Sequence, residues 1–269
     1  MSNGGIHGAA TELGGKAKPE VVAIIPARFG STRFPGKVLA SKTGKPLIQH
    51  VCEAAAKSRS LSRVIVATDD DSVLAAVRSF GGEAVMTRAD HPNGTSRLAE
   101  AAAKLGLSPD ALVVNVQGDE PEIEPAVIDA AVQALGNAPV ATAASPMSDA
   151  DAPNPNIVKV VVRQDGTALY FSRARIPHVR DASNASFGTA LRHVGLYVYR
   201  RSFLDRYLTL APTPLERSES LEQLRILEHG FTIAVAVLPK EVGYAGIDTP
   251  EQYEAFVRRV AEGRPEKSR

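Results

Sequence analysis

The chain has 269 residues, 44% hydrophobic and 23% charged, a globular composition that excludes a collagenous, low-complexity or wholly disordered protein. Its 31 basic and 30 acidic residues leave a formal charge of +1, so there is no broad positive field for nucleic acid or an anionic membrane, and anion recognition must be local. One cysteine, Cys52, rules out an intrachain disulfide and a four-cysteine zinc site; with no apolar run of ~18 residues and no signal-peptide core, the reading is a cytoplasmic protein.

Residues 1–20 hold five glycines and little periodicity and read as a mobile extension outside the fold. From Val21 the chain alternates short β-branched runs with helical stretches, the pattern of βαβ units and a mostly parallel sheet. Val21–Ile25 is apolar on both faces, as a central parallel strand is, and Pro26 ends it. Ile48, Val51, Cys52 and Ala55 then recur at helical spacing behind Pro46, which places Cys52 in the core. Arg63–Thr68 is the second strand, followed by a helix over about 72–80, a short strand at 84–86 and a helix marked by Leu98, Ala101, Ala102 and Leu105.

Ala111–Val116 is another buried strand, and it runs into Gln117-Gly118-Asp119-Glu120-Pro121. Ligands in open α/β sheets gather beyond the carboxyl ends of strands, so polar residues at that point are candidates for chemistry. A helix through Ile128 and Leu135 and a strand at 140–144 follow. From Ser145 the chain turns rich in proline and acidic residues, and strand-like runs at 157–162, 168–171 and 194–199 lack long helices between them. This reads as a smaller antiparallel insertion over about 150–215, suited to a lid or an oligomer contact. The α/β pattern returns with a helix near 220–228, a strand at 232–238 and a last helix carrying Tyr253, Phe256, Val257 and Val260. The domain therefore spans 21–262, with a tail over 263–269 and no internal repeat.

The segment richest in chemistry is Pro26 to Lys37, where Arg28, Arg33 and Lys37 fall on a loop opened by a buried strand. Glycines let backbone N–H groups approach an anion, arginine adds a planar fork and lysine a point charge, which together suit a polyphosphate; a merely solvated basic loop is the alternative. Gly30 and Gly36 do not fit a P-loop and no G-x-G-x-x-G occurs, so both common nucleotide fingerprints are absent.

The runs 26–28 (PAR) with 34–37 (FPGK), 115–121 (NVQGDEP) and 246–250 (GIDTP) resemble those of the CMP-KDO synthetases, the 3-deoxy-manno-octulosonate cytidylyltransferases. The runs 91–100, 170–173, 192–197 and 221–225 are similar to that family in the same order, so the resemblance extends from Val21 to about Phe256. The first loop is shared with CMP-sialic acid synthetases; the other runs favour KDO.

The resemblance implies a Rossmann-like α/β domain with a dimerisation insertion, Mg²⁺ dependence, and the reaction of CTP with KDO to give CMP-KDO and pyrophosphate for lipopolysaccharide biosynthesis. It places Arg28 and Lys37 on the triphosphate, Ala27, Gly94, Arg97 and Gln117 along the nucleotide and reaction centre, and Asp119 and Asp248 on the metal, so that Arg28, Lys37 and Asp119 form the catalytic set. The sugar side falls to Arg173, His193, Tyr197, Glu222 and Gln223. Hard carboxylate oxygens suit Mg²⁺. Thr249, Pro250 and Gln252 also form a capping box beside Asp248, a role compatible with metal binding.

The Asp69-Asp70-Asp71 run contains the D-x-D pattern of metal-dependent glycosyltransferases, but its place before a helix is equally that of an N-cap. His7, His50, His178 and His229 show no metal spacing. Ser96, Val38, Arg175 and His178 depart from the residues usual in the family, and the stretch 178–191 is short. Rival readings are a cytidylyltransferase for sialic acid or an amino-substituted KDO, and a non-catalytic nucleotide or sugar sensor.

Overall fold

The computed structural model describes residues 18–30, 33–181, 183, 190–242 and 246–263. The expectations for residues 1–17 and 264–269 lie outside the described residues. Residues 18–20 join the fold earlier than the sequence implies, since Glu20 O accepts from Leu112 N at 2.8 Å.

Strands β1 (Val21–Ala27), β2 (Arg63–Thr68), β3 (Glu83–Met86) and β4 (Leu112–Asn115) form a parallel unit in the order β3-β2-β1-β4. The sheet continues through β8 (Leu191–Arg200) to β5 (Val140–Pro146) and β9 (Ile233–Val237), the last two parallel to each other. Side chains of β1 alternate between two cores: Val22 and Ile24 face one, Ala23 and Ile25 the other. Burial on both faces is why β1 reads as a continuous apolar run.

Helices α1 (Leu47–Ala55), α2 (Asp71–Ser79) and α4 (Pro125–Ala134) cover one face, and α3 (Gly94–Lys104), α5 (Arg201–Tyr207) and α7 (Gln223–Glu228) the other. The short α6 (Pro214–Glu219) starts in a capping box of Thr213 and Glu216. The last helix, α8 (Pro250–Ala261), starts in the expected box of Thr249 and Gln252. Cys52 is half-buried beside the α1 core, and burial pushes its thiol up to about 12.

One placement differs from the sequence reading. The strand expected at 194–199 is not part of an appendage: it is the middle of β8, which lies inside the main sheet antiparallel to both β4 and β5. Val194, Leu196 and Val198 point into one core, whereas Tyr197 and Tyr199 face a cavity, so the pattern alternates like that of a half-exposed strand. The antiparallel appendage is the pair β6 (Lys159–Val162) and β7 (Ala168–Ser172), joined to β8 through β6.

Candidate active site

Three loops meet at the carboxyl edge of the parallel strands. The first follows β1 and closes on itself: Gly36 takes a left-handed conformation (φ +67°), its N–H donating to Phe29 O at 3.0 Å, and a 3₁₀ turn over Lys37–Leu39 follows. The second follows β4, where a Cβ on Gly118 would lie 2.8 Å from Pro26 O, so only glycine lets the loops touch. The third precedes α8, anchored by buried Ile247 against Leu47, Tyr253 and Phe256 and by Ile247 N donating to Asp119 O at 2.8 Å.

Lys37 stands where they meet. Its Nζ donates to Asp119 Oδ2 at 2.7 Å, Ile247 O at 3.0 Å and Asp248 Oδ1 at 3.1 Å, with only 11% of the side chain exposed. Both aspartates thus lie within reach of one cation, although 129 positions separate them in the numbering of the chain. Arg33 Nη2 pairs with the other oxygen of Asp248 at 3.0 Å. The Asp248 backbone N–H serves the Gln252 side chain, so its carboxylate is free for this cluster while α8 keeps its cap.

The residues fit a magnesium ion. Mg²⁺ takes one or two carboxylates and fills its other positions with phosphate oxygens and water. Asp119 and Asp248 supply that pair. No cluster of three or more His, Cys, Asp or Glu side chains suited to a metal occurs among the described residues. Asp70 accepts from Ser72 N and Val73 N as the N-cap of α2, and Asp69 pairs with Arg97, so two carboxylates of the D-x-D region are engaged structurally.

Arg97 lies apart from the cluster. Its side chain is fully buried, donating to Thr87 Oγ1 at 2.6 Å and Asp69 Oδ2 at 2.7 Å. Arg97→Met is expected to destabilise the fold by about 3–5 kcal/mol, because it leaves Asp69 largely buried without its partner; a loss under ~1 kcal/mol in urea unfolding would contradict a structural role. Arg28 is exposed on the first loop and donates to His91 O at 3.0 Å, while Ala27 is buried at the end of β1. His91 in turn contacts Ser96 and Glu100, so Ser96 is engaged at the start of α3.

A cavity of about 330 Å³ opens beside the cluster, between the start of α3, β8 and the α6–α7 corner. It gathers Gly94, Gln117, His193, Tyr197, Glu222 and Gln223, six of the residues expected from sequence. Gln117 Nε2 donates to Gly195 O at 3.2 Å, tying the loop after β4 to β8. Arg173 does not line the cavity. Its guanidinium donates to Glu219 O, Pro155 O and Ser220 O, which holds the rim in place.

His193 is fixed by a residue the sequence reading passed over. Thr142 Oγ1 lies 2.7 Å from Leu196 O and 3.0 Å from His193 Nε2, where the β5–β8 register shifts. A hydroxyl carries one proton, and the Leu196 carbonyl takes it; Nε2 therefore bears hydrogen and Nδ1 is the acceptor, a tautomer assigned from this network. Burial pushes the imidazole down to about 3. Between about pH 6.5 and 3 the unfolded chain takes up a proton that the folded chain refuses, so stability falls as pH drops through that window. His193→Gln is expected to flatten this part of the urea-midpoint curve; an unchanged slope would contradict the neutral assignment.

Glu120 was also missed as a separate feature. Its Oε2 is buried with no hydrogen-bond partner among the described residues, beside a cavity of about 70 Å³, and burial, then the Asp119 charge, push its carboxyl up to about 8.

The α/β sheet brings two aspartates and a lysine together at its carboxyl edge, and residues 22–233 match the cytidylyltransferase family, a class of nucleotidyltransferases. A relative from Syntrophobacter fumaroxidans is 52% identical over 246 residues, covering 90% of this chain and 97% of its own; another from Herminiimonas arsenicoxydans is 55% identical over 236 residues, covering 85% and 94%. Both are 3-deoxy-manno-octulosonate cytidylyltransferases. A solved CMP:2-keto-3-deoxy-manno-octonic acid synthetase complexed with CTP superposes with a TM-score of 0.84 at 43% identity, over 91% of this chain and 99% of that one. A cytidylyltransferase from Leptospira borgpetersenii shares the fold at 18% identity, with a TM-score of 0.58 over 91% of this chain and 87% of its own. The chain belongs to the 3-deoxy-manno-octulosonate cytidylyltransferase family.

Proposed function

We propose that this enzyme couples CTP to 3-deoxy-manno-octulosonate, releasing pyrophosphate, with Mg²⁺ held by Asp119 and Asp248. The observation that carries the reading is the approach of both carboxylates to one ammonium, Lys37 Nζ, at 2.7 and 3.1 Å. A sugar hydroxyl that attacks the α-phosphate builds negative charge on phosphate oxygens and on the leaving pyrophosphate, so the site needs positioned cations more than a strong base. When bound, the ion supplies positive charge to those oxygens. Lys37 and Arg28 supply the rest: Lys37 is held between the two aspartates, and exposed Arg28 stands on the same loop.

Gln117 and Gly94 line the cavity, where the sugar is placed against the nucleotide. His193, Tyr197, Glu222 and Gln223 contact the sugar, and Arg173 at the rim offers a guanidinium to its carboxylate by exchanging the backbone carbonyls it now holds. Arg97 supports the start of α3 from below. A cytoplasmic location, a homodimer formed through the insertion and a place in lipopolysaccharide synthesis belong to the same reading; no helix among the described residues is long and apolar enough to cross a membrane.

The test offers CTP with KDO or with sialic acid, with and without Mg²⁺, and follows pyrophosphate. Mg²⁺-dependent release with KDO is expected. Preference for sialic acid would favour the rival sugar, and CTP binding without release under either sugar would favour a sensor.

A further inference from the structure

The cavity has two ends, and the register of the sheet orders them. Along β8 the lining residues run Gly195, Tyr197, Tyr199, and Gly195 is tied to the loop after β4 by Gln117. Tyr197 lies opposite Asn115 and Tyr199 opposite Val113, so the cavity runs back from the charge cluster into the fold by roughly 3.4 Å per residue.

At that inner end two buried polar atoms lack partners. Asn115 is 4% exposed and Tyr207 2% exposed, and neither Asn115 Oδ1 nor the Tyr207 hydroxyl has a hydrogen-bond partner among the described residues. Thr95 and Glu222 both lie close enough to the Tyr207 hydroxyl to affect ionisation, yet neither forms a well-shaped hydrogen bond to it. An unpartnered buried polar atom costs free energy, so two of them on one cavity wall point to something that fills the cavity and satisfies them.

We propose that Asn115 and Tyr207 form a subsite for uncharged hydroxyls of the sugar that are remote from its reacting carbon. The inference rests on the functional reading above and assigns the inner part of the same cavity. Among the described residues no lysine or arginine lines the cavity, and Glu222 is acidic, so this end suits hydroxyls and not the sugar carboxylate. A hydroxyl both donates and accepts: it can give its proton to Asn115 Oδ1 and take one from Tyr207. Water can occupy such a space, and a sugar hydroxyl replaces it bond for bond.

The test compares wild type, Tyr207→Phe and Asn115→Leu. Each variant is expected to raise the KM for KDO about 3- to 10-fold, the loss of one neutral hydrogen bond, with the KM for CTP unchanged. Tyr207→Phe should not lower the melting temperature, since the hydroxyl it removes has no hydrogen-bond partner among the described residues. With a panel of KDO analogues each lacking one ring or side-chain hydroxyl, at least one analogue should show no difference between wild type and Tyr207→Phe. An unchanged KM for KDO in both variants, a penalty that persists with every analogue, or a fall in melting temperature with both KM values raised would overturn the subsite. If wild type turns over sialic acid and not KDO, the functional reading fails instead, and the same comparison on sialic acid decides the subsite. If no acidic sugar is turned over, both fail.

Discussion

Replacing Lys37 by methionine is expected to lower turnover by about 10²- to 10³-fold, the scale of losing one preorganised charge donor. Methionine keeps most of the side-chain volume, so the change removes the ammonium and little else. In the folded protein that ammonium is held by Asp119, Asp248 and the Ile247 carbonyl, and little of the side chain is exposed, so its position is set before any substrate arrives. The same substitution leaves Asp119 without its ion-pair partner and Asp248 with only the exposed Arg33. Its stability loss should therefore shrink when Mg²⁺ is added, because a divalent ion can take over the neutralising role. Pyrophosphate release at saturating substrates measures the first effect and thermal unfolding with and without Mg²⁺ the second. Near-normal turnover would contradict the role given to Lys37.

The second large effect is expected at the acids. Asp119→Asn and Asp248→Asn should each cut turnover by at least ~10²-fold, and the double variant should lose little more than the worse single. Groups that hold one ion act as a unit, so their losses do not multiply. Asp248→Asn also removes the pair with Arg33, but that arginine is 67% exposed and its bridge contributes little to stability. Losses that multiply in the double variant would mean that the two carboxylates do separate work.

Much of this arrangement is legible in the residues. The both-sided apolar run of β1, the capping box at Thr249 and Gln252 and the Asp70 cap are local features that appear where their patterns place them, except that β1 does not stop at Pro26: parallel pairing with β2 carries it through Pro26 to Ala27. The position of β8 is not legible. Its tyrosine face lines a cavity, and an alternating pattern does not distinguish a cavity from solvent. Arg97 reads as a cation near a nucleotide loop, and only the fold places Asp69 and Thr87 against it.

The candidate site divides the same way. Asp119 and Asp248 are picked out by motif resemblance, whereas their approach through Lys37 depends on segments far apart in the chain meeting at the sheet edge, with Gly118 packed tightly on Pro26 O. Thr142 and Tyr207 carry no sequence signal, and Asn115 carries only its place at the head of the 115–121 run. Each matters through a partner, or the lack of one, that exists only once the chain is folded.

The central claim is that one divalent ion sits between Asp119 and Asp248, with Lys37 sharing the phosphate charge. Anomalous scattering from crystals grown with Mn²⁺ and CTP tests it most directly. A peak bound by oxygens of both aspartates, with the Lys37 ammonium turned onto a phosphate, is the predicted result. A peak on the 69–71 acidic run, or Lys37 still bridging the two aspartates with the ion held elsewhere, would contradict it.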